Sequence, residues 1–150
     1  MSAAPKPDLT NRWIYRRWCQ DVLRYADTDR QGHVNNAVFA TFCESGRTSF
    51  LCDPATPLAP VGTNFVIARL LLDFLGEILW PGRVDIGTGV LSLGRSSFTL
   101  GQGIYVGDRC HATAETVIVL TDEKTRRSTP LPEDVRKRLI DLAVAESPTI

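Results

Sequence analysis

The sequence predicts an α+β domain, in which a curved antiparallel sheet of about five strands wraps round one central helix and a C-terminal helix follows. Three observations predict this fold class. The segment from about Asn36 to Leu51 is apolar round most of its helical circumference, which is typical of a helix covered on most sides. Short turns separate the apolar segments between residues 65 and 120, and short turns favour antiparallel pairing. Residues 132–143 carry one apolar stripe, as a docked surface helix does.

Length and charge limit the possible classes of protein. The chain has 150 residues, enough for one core, and we expect a flexible arm over residues 1–10 and a single domain over residues 11–150. Its 17 basic and 17 acidic side chains form no long runs of like charge, so neither nucleic acid nor a membrane surface is expected as a partner. The first ten residues lack the apolar core of a secretory signal, and no apolar run could span a bilayer. A cytoplasmic protein is therefore expected.

The cysteines give no sign of a metal site. They are widely spaced and form no C-x-x-C pair, so neither a zinc knuckle nor a redox dithiol is predicted. We expect all of them to be small buried apolar residues. The four are Cys19, Cys43, Cys52 and Cys110.

The first strand is expected between Trp13 and Tyr25, where aromatic and branched residues are frequent. Arg16, Arg17 and Asp21 interrupt its alternation, so Val22 to Tyr25 is the clearest part.

Four further strands are expected after a proline-rich loop at residues 53–62. Phe65 to Phe74 is apolar on both faces, which is typical of a central strand. The next three strands alternate along 84–90, 98–106 and 110–120, and short turns join them into a meander. Gln102 is the one polar residue on the apolar face of its strand.

The C-terminal helix is expected from Pro132 to about Ala143. Proline opens it, and Glu133 and Asp134 in the first turn suit the positive end of the helix dipole.

A polar segment lies directly before the central helix and reads R-Y-A-D-T-D-R-Q-G-H-V-N-N over residues 24–36. An aromatic residue, a D-x-D pair, a G-H step and a polar pair that opens a helix occur in this order. The segment resembles the acyl-CoA thioesterases of the hotdog fold, which include 4-hydroxybenzoyl-CoA thioesterase and the plant acyl-carrier-protein thioesterases. The resemblance implies a hotdog fold, an acyl-CoA or acyl-carrier-protein substrate, no metal or other cofactor, and a homodimer or homotetramer with sites shared between subunits.

Thioester hydrolysis needs a nucleophile or base and donors for the developing oxyanion. The resemblance makes Asp29 the catalytic carboxylate, and whether it attacks directly or activates water stays open; the alternative is a turn-closing or helix-capping aspartate. It also implies that the backbone N–H of Asn36 polarises the thioester carbonyl. His33 either takes part in catalysis or holds the turn.

The resemblance and the residue types suggest further roles. We expect Tyr25, Gln31, Asn35 and Phe39 to bind substrate, with Asn35 also a candidate helix cap. Asp27 is expected to be structural, because side chains two residues apart on an extended chain point to opposite faces. Glu44 is expected to pair with Arg47 or with a partner subunit.

Coenzyme A carries phosphates that usually meet basic side chains. The candidates are Arg95, with Ser96 and Ser97 beside it, and Lys124, Arg126 and Arg127. We expect Phe39, Phe42 and Phe65 to line the acyl pocket.

Two other functions fit the same fold. One is a non-catalytic module that binds acyl thioesters, and the other is a hotdog hydratase or dehydratase. The D-x-D segment and its helix favour hydrolysis over both.

Overall fold

A computed structural model describes residues 5–145 of the chain. Its five strands form a single antiparallel sheet in the order β1-β3-β4-β5-β2. Helix α1 packs against the inner face of this sheet, which is the predicted hotdog arrangement. The elements are β1 (Arg17–Val22), α1 (Asn36–Leu51), β2 (Thr63–Phe74), β3 (Arg83–Leu93), β4 (Ser97–Val106), β5 (Arg109–Asp122) and α2 (Glu133–Asp141).

Helix α1 has the predicted bounds and is held close to the sheet. Its N-cap is Asn35, whose Oδ1 accepts from the N–H of Ala37 at 3.0 Å. At Gly46 the helix lies so near the strands that an added Cβ would be 2.7 Å from Cγ2 of Ile86. Gln102 lies beneath this point and donates from Nε2 to the carbonyl of Cys43 at 3.0 Å. The polar residue in β4 therefore anchors the helix to the sheet.

The outer face of the sheet is covered by segments from both ends of the described chain. Leu9 and Val144 pack on it where β3 and β4 oppose glycine to glycine, at Gly89↔Gly101 and Gly87↔Gly103. The hydroxyl of Tyr105 donates to the carbonyl of Thr10 at 2.8 Å. These contacts position residues 5–10.

The prediction for the first strand was wrong at both ends, since Arg12–Ile14 form a 3₁₀ turn and the strand begins only at Arg17. The strand ends at Val22, and Tyr25–Asp27 form a 3₁₀ turn instead. The cause is the carboxylate of Asp27, which accepts from the backbone N–H of Arg24 at 2.9 Å and closes the turn. This contact also agrees with the structural role predicted for Asp27.

The prediction of a central position for β2 was also wrong. This strand pairs only with β5 and forms an edge of the sheet, so the meander comprises β3, β4 and β5 alone. Its apolar side chains are partly exposed on both faces of the edge: Val66, Ile67, Leu70, Leu71 and Phe74. Apolar side chains do occupy both faces of β2, as the sequence predicts, but within the described protomer they stay partly exposed.

Neither helix described between residues 5 and 145 has the length and apolar character needed to cross a membrane.

Candidate active site

A cleft of about 430 Å³ opens between the start of α1 and the end of β2. The loop before α1 forms one wall and the segment after β2 forms the other. Its lining comprises Asp29, Gln31, His33, Val34, Asn36, Phe39, Phe74, Leu75, Gly76 and Glu77. The polar segment singled out from the sequence is therefore brought to one cavity.

Asp29 is held rigidly in this loop through one of its two carboxylate oxygens. Its Oδ1 accepts from the backbone N–H groups of Gln31 at 2.9 Å and His33 at 3.1 Å. Gly32 has φ +81°, a left-handed conformation that glycine adopts without strain, and this lets the loop turn back on Asp29. Within residues 5–145 the second oxygen, Oδ2, makes no hydrogen bond, so it is available to a bound molecule.

The start of α1 supplies a donor to the same cleft. Asn35 satisfies the N–H of Ala37, and its own N–H donates to the carbonyl of Asp27 at 2.8 Å. The N–H of Asn36, the first helical residue, has no acceptor in the described part of the chain. Unpaired N–H groups at a helix start attract negative charge. Asp29, with its unpaired carboxylate oxygen, and Asn36, with its unpaired N–H, thus both line one cavity.

The imidazole of His33 is paired with a residue that the sequence reasoning missed. Its Nε2 lies 3.2 Å from Oε2 of Glu77, on the opposite wall of the cleft. A backbone bridge between His33 and Leu79 brings the two segments together. Glu77 lies three residues after the end of β2. No local pattern marks it, because its place depends on how the chain after β2 crosses the end of the sheet. The ring of His33 contacts Glu77, whereas its link to Asp29 runs through the backbone.

The other predicted binding residues are divided between different parts of the fold. Gln31 and Phe39 line the cleft, and the ring of Phe39 packs edge-on against Phe74 at 5.2 Å. Asn35 serves as the helix cap and is not among the lining residues. Tyr25 also lies outside the cleft, 76% exposed, with its ring against Trp80.

Arg95 lies far from Asp29 within one protomer. Its turn joins β3 to β4, where Ser97 pairs with Val119 of β5, whereas Phe74 at the cleft pairs with Ala112. Val119 and Ala112 are seven residues apart, which is roughly 23 Å along a strand. Lys124, Arg126 and Arg127 follow β5 at the same distant end. No single protomer brings these basic residues to the cleft.

A second cavity, of about 250 Å³, lies further along α1 and is called here the Arg47 groove. Its walls come from the second half of α1 and the first half of β2, and its lining comprises Glu44, Arg47, Thr48, Leu51, Cys52, Ala59, Asn64, Phe65, Ile67 and Ile118. Phe65 therefore lines this groove rather than the cleft, and Phe42 is buried in the core. The expected single acyl pocket with all three phenylalanines was wrong for the protomer.

Arg47 is buried in this groove without a partner. The residue is 5% exposed, and its Nη1 has no acceptor among residues 5–145. Burial lowers the pKa of its guanidinium below the ordinary value. The ion pair expected between Glu44 and Arg47 does not form within the described chain.

The cysteines differ from one another in exposure. Cys43 is fully buried, Cys19 and Cys110 are partly buried, and Cys52 is exposed, so the expectation of four buried thiols was wrong for the last three. Burial raises the pKa of Cys43 to about 11. Among the described residues no cluster of His, Cys, Asp or Glu has the arrangement of a metal site.

Known proteins share both the fold and the sequence pattern. A protein of Pseudomonas aeruginosa strain PAO1 superposes with a TM-score of 0.80 over 91% of this chain and 97% of its own, at 21% identity, which is a likeness of fold. A thioesterase from Thermus thermophilus, solved with coenzyme A and Zn, is 30% identical with a TM-score of 0.75 over 86% of this chain and 95% of its own.

Two further comparisons concern the sequence. The 1,4-dihydroxy-2-naphthoyl-CoA hydrolase of Synechococcus elongatus is 26% identical over 125 residues, which is 76% of this chain and 88% of the relative. Residues 23–139 match the Thioesterase-like superfamily, and they include the whole cleft. The chain therefore belongs to the Thioesterase-like superfamily and is a thioester hydrolase.

Proposed function

We propose that this protein hydrolyses acyl-CoA thioesters, with Asp29 as the catalytic carboxylate and the N–H of Asn36 as the oxyanion donor. The observation that carries the proposal is that both groups line one cleft with free hydrogen-bonding capacity. The carboxylate has an unpaired oxygen, and the helix start has an unpaired N–H, within the described residues. A thioester carbonyl lying between them would be attacked from one side and stabilised from the other.

Two routes are open to this pair. In the first, Oδ2 of Asp29 attacks the carbonyl carbon, the C–S bond breaks, and coenzyme A leaves as a thiolate while a mixed anhydride stays on Asp29. Water then cleaves that anhydride and regenerates the carboxylate. In the second, Asp29 takes a proton from water as the resulting hydroxide attacks, and the tetrahedral intermediate expels the thiolate, which then takes up the proton. The N–H of Asn36 stabilises the same oxyanion in both routes.

His33 and Glu77 act as positioning residues in this proposal. The backbone N–H of His33 donates to Asp29, and its ring is held by Glu77 from across the cleft. The pair ties the catalytic loop to the segment after β2 and limits the orientations of the Asp29 carboxylate. Gln31, whose backbone N–H holds the same oxygen, presents its side-chain amide to the substrate.

The proposed substrate is a coenzyme A thioester. Two relatives support this choice, because one is named as an acyl-CoA hydrolase and the other was solved with coenzyme A. Phe39 and Phe74 give the cleft an apolar wall suited to an acyl group. The D-x-D pair and the G-H-V-N-N run that follows it support our assignment of the chain to the family of 4-hydroxybenzoyl-CoA thioesterase.

The functional unit is proposed to be a dimer formed through the β2 edge. Unpaired strand edges with exposed apolar side chains readily pair with another strand, and β1, with Arg17, Gln20 and Asp21, is a more polar edge. Antiparallel pairing of β2 with its copy would place the first residues of one strand near the last residues of the other. Lys124, Arg126 and Arg127 of the partner subunit would then approach the cleft, where they could bind the phosphates of coenzyme A.

The experiment that tests the catalytic assignment is Asp29→Asn. The amide oxygen can still accept from Gln31 and His33, so the loop is retained while the negative charge is lost. We expect kcat/KM for thiol release from a panel of acyl-CoA and acyl-carrier-protein substrates to fall about 10²–10⁴-fold. Asp8→Asn is the matched control, because Oδ1 of Asp8 also accepts from a loop N–H, that of Thr10, but on the outer face. Activity of Asp29→Asn within tenfold of the parent would contradict the proposed role.

A further inference from the structure

The Arg47 groove holds a buried charge that the protomer does not neutralise. Arg47 is 5% exposed, its guanidinium has an N–H without an acceptor among the described residues, and Leu51, Phe65 and Ile67 line the same groove. Buried donors are almost always paired, because a donor that loses its bond to water on burial needs another acceptor. An acceptor from outside the described protomer, either a water in the groove or an oxygen of a bound molecule, is therefore expected at Arg47.

The groove is too far from the cleft in the same protomer to share a small substrate with it. Asn36 and Arg47 are eleven residues apart on α1, which is roughly 16 Å along a helix. Strand β2 connects the two cavities, since Phe74 lines the cleft at one end while Phe65 and Ile67 line the groove towards the other. Its 12 residues span roughly 36 Å.

In the proposed dimer, the cleft of one protomer lies close to the Arg47 groove of its partner. In an antiparallel pair of β2 strands related by a two-fold axis, Phe74 of one strand lies beside the first half of the other strand. Phe65, Ile67 and Phe74 all face the α1 side of the sheet, because their cross-strand partners Leu120, Ile118 and Ala112 are core residues under that helix. A two-fold axis perpendicular to the sheet keeps them on that side. The cleft of each protomer then continues into the Arg47 groove of its partner.

We propose that Arg47 of the partner subunit determines which acyl groups the cleft accepts. This inference rests on the proposed hydrolysis and on the proposed dimer. The acyl group extends from Asp29 into the partner's groove, and its far end carries an oxygen acceptor, a hydroxyl or a carboxylate, that receives the free N–H of Arg47. A purely apolar acyl group would enter the same space but leave the guanidinium unpaired, so it would be the poorer substrate.

The first test compares matched substrates. Benzoyl-CoA would be assayed against its hydroxylated and carboxylated derivatives, and octanoyl-CoA against its ω-carboxylated analogue. We expect the parent to prefer the oxygen-bearing member of at least one pair by about 10- to 100-fold in kcat/KM, as for a hydrogen bond to a charged group. Arg47→Met should remove this preference by lowering kcat/KM for the oxygen-bearing member and not for the apolar one. Arg47→Lys, which keeps the charge but loses the planar fork, should retain part of it. No preference in the parent, or an equal loss on both members, would overturn the proposal.

The second test asks whether Arg47 acts across the subunit boundary. A heterodimer with Asp29→Asn in one subunit and Arg47→Met in the other contains one site in which both residues are intact, if the two come from different subunits. We expect such heterodimers, isolated with two affinity tags, to have about half of the parental activity towards the preferred substrate. Activity no higher than the mean of the two parent variants would overturn the shared arrangement. Failure of the catalytic assignment is distinguished by Asp29→Asn alone, because that variant would stay active whatever happened at Arg47.

Discussion

Replacing Arg47 by methionine is predicted to make the free protein more stable. The side chain is 5% exposed, and its Nη1 has no acceptor within residues 5–145. An unsatisfied buried donor costs about 1–3 kcal/mol, and removing an unpaired buried charge in favour of an apolar side chain of similar length is neutral or stabilising. Methionine keeps most of the apolar stem in a groove that Leu51 and Phe65 also line.

The expected gain in the free energy of unfolding is about 1–2 kcal/mol, because some packing is lost with the guanidinium. For a chain of this size that corresponds to a rise in Tm of roughly 2–8 °C. Urea denaturation of both proteins at one fixed concentration measures it, since the stability of a dimer depends on concentration. Arg136→Met is the control: Arg136 is only partly buried and donates an exposed hydrogen bond to the carbonyl of Gly94 at 2.8 Å, so its loss should cost a few tenths of a kcal/mol to about 1 kcal/mol.

A stability loss above about 1 kcal/mol in Arg47→Met would refute the reasoning. It would mean that the folded protein already supplies an acceptor to the guanidinium. Arg47 would then be an ordinary structural residue, and its selection of acyl groups would lose its physical basis. A gain in stability combined with a loss of substrate preference is the result expected of a residue kept for function at the expense of stability.

Three further predictions concern the helix and the core. Gly46→Ala should lower the free energy of unfolding by about 1–2 kcal/mol, because the new Cβ would lie 2.7 Å from Ile86 and 2.9 Å from Thr88. The cost of these close contacts exceeds the gain in helix propensity. A variant that is more stable than the parent in urea denaturation would contradict the close packing. Asn35→Ala should cost about 1 kcal/mol through loss of the cap to Ala37, whereas Asn35→Asp, which keeps an acceptor, should stay within a few tenths. Burial raises the pKa of Cys43 from 9.0 to about 11, so the unfolded chain releases this proton at lower pH than the folded chain does. The free energy of unfolding should therefore fall by roughly 2 kcal/mol as the pH rises from 9 to 11. Denaturation at several alkaline pH values tests this, and Cys43→Ala should flatten that part of the profile.

Features that depend on local chemistry were predictable from the sequence. Helix α1 was predicted with the bounds that it has, because its cap, its apolar circumference and its length are all properties of one continuous segment. The same is true of the loop that carries Asp29. Its turn is closed by a carboxylate, a glycine and backbone N–H groups that lie within five residues of one another. The segment after β2 adds further bonds at His33 and Val34.

Features that depend on distant parts of the chain were not predictable. The apolar pattern of β2 indicates that both of its faces are covered, but it does not identify the covering element. A central strand and an edge strand covered by a second copy of the chain would have the same pattern. Glu77 reaches His33 only because the chain after β2 crosses the end of the sheet. Tyr25 lies in a 3₁₀ turn and not in the strand, because the carboxylate of Asp27 closes that turn and outweighs the β propensity of the segment.

The proposed catalytic groups and the proposed acyl pocket depend on different parts of the fold. The proposed catalytic carboxylate and the helix start are held mainly by hydrogen bonds within one short segment, and the contact of His33 with Glu77 adds a tie to the chain after β2. In the proposed dimer, the far wall of the acyl pocket would come from α1 and β2 of another copy, where Arg47 is buried without a hydrogen-bond partner in the described protomer. Substrate choice can therefore change through residues of the Arg47 groove while thioester hydrolysis is retained, because the two properties depend on segments with no shared hydrogen bonds.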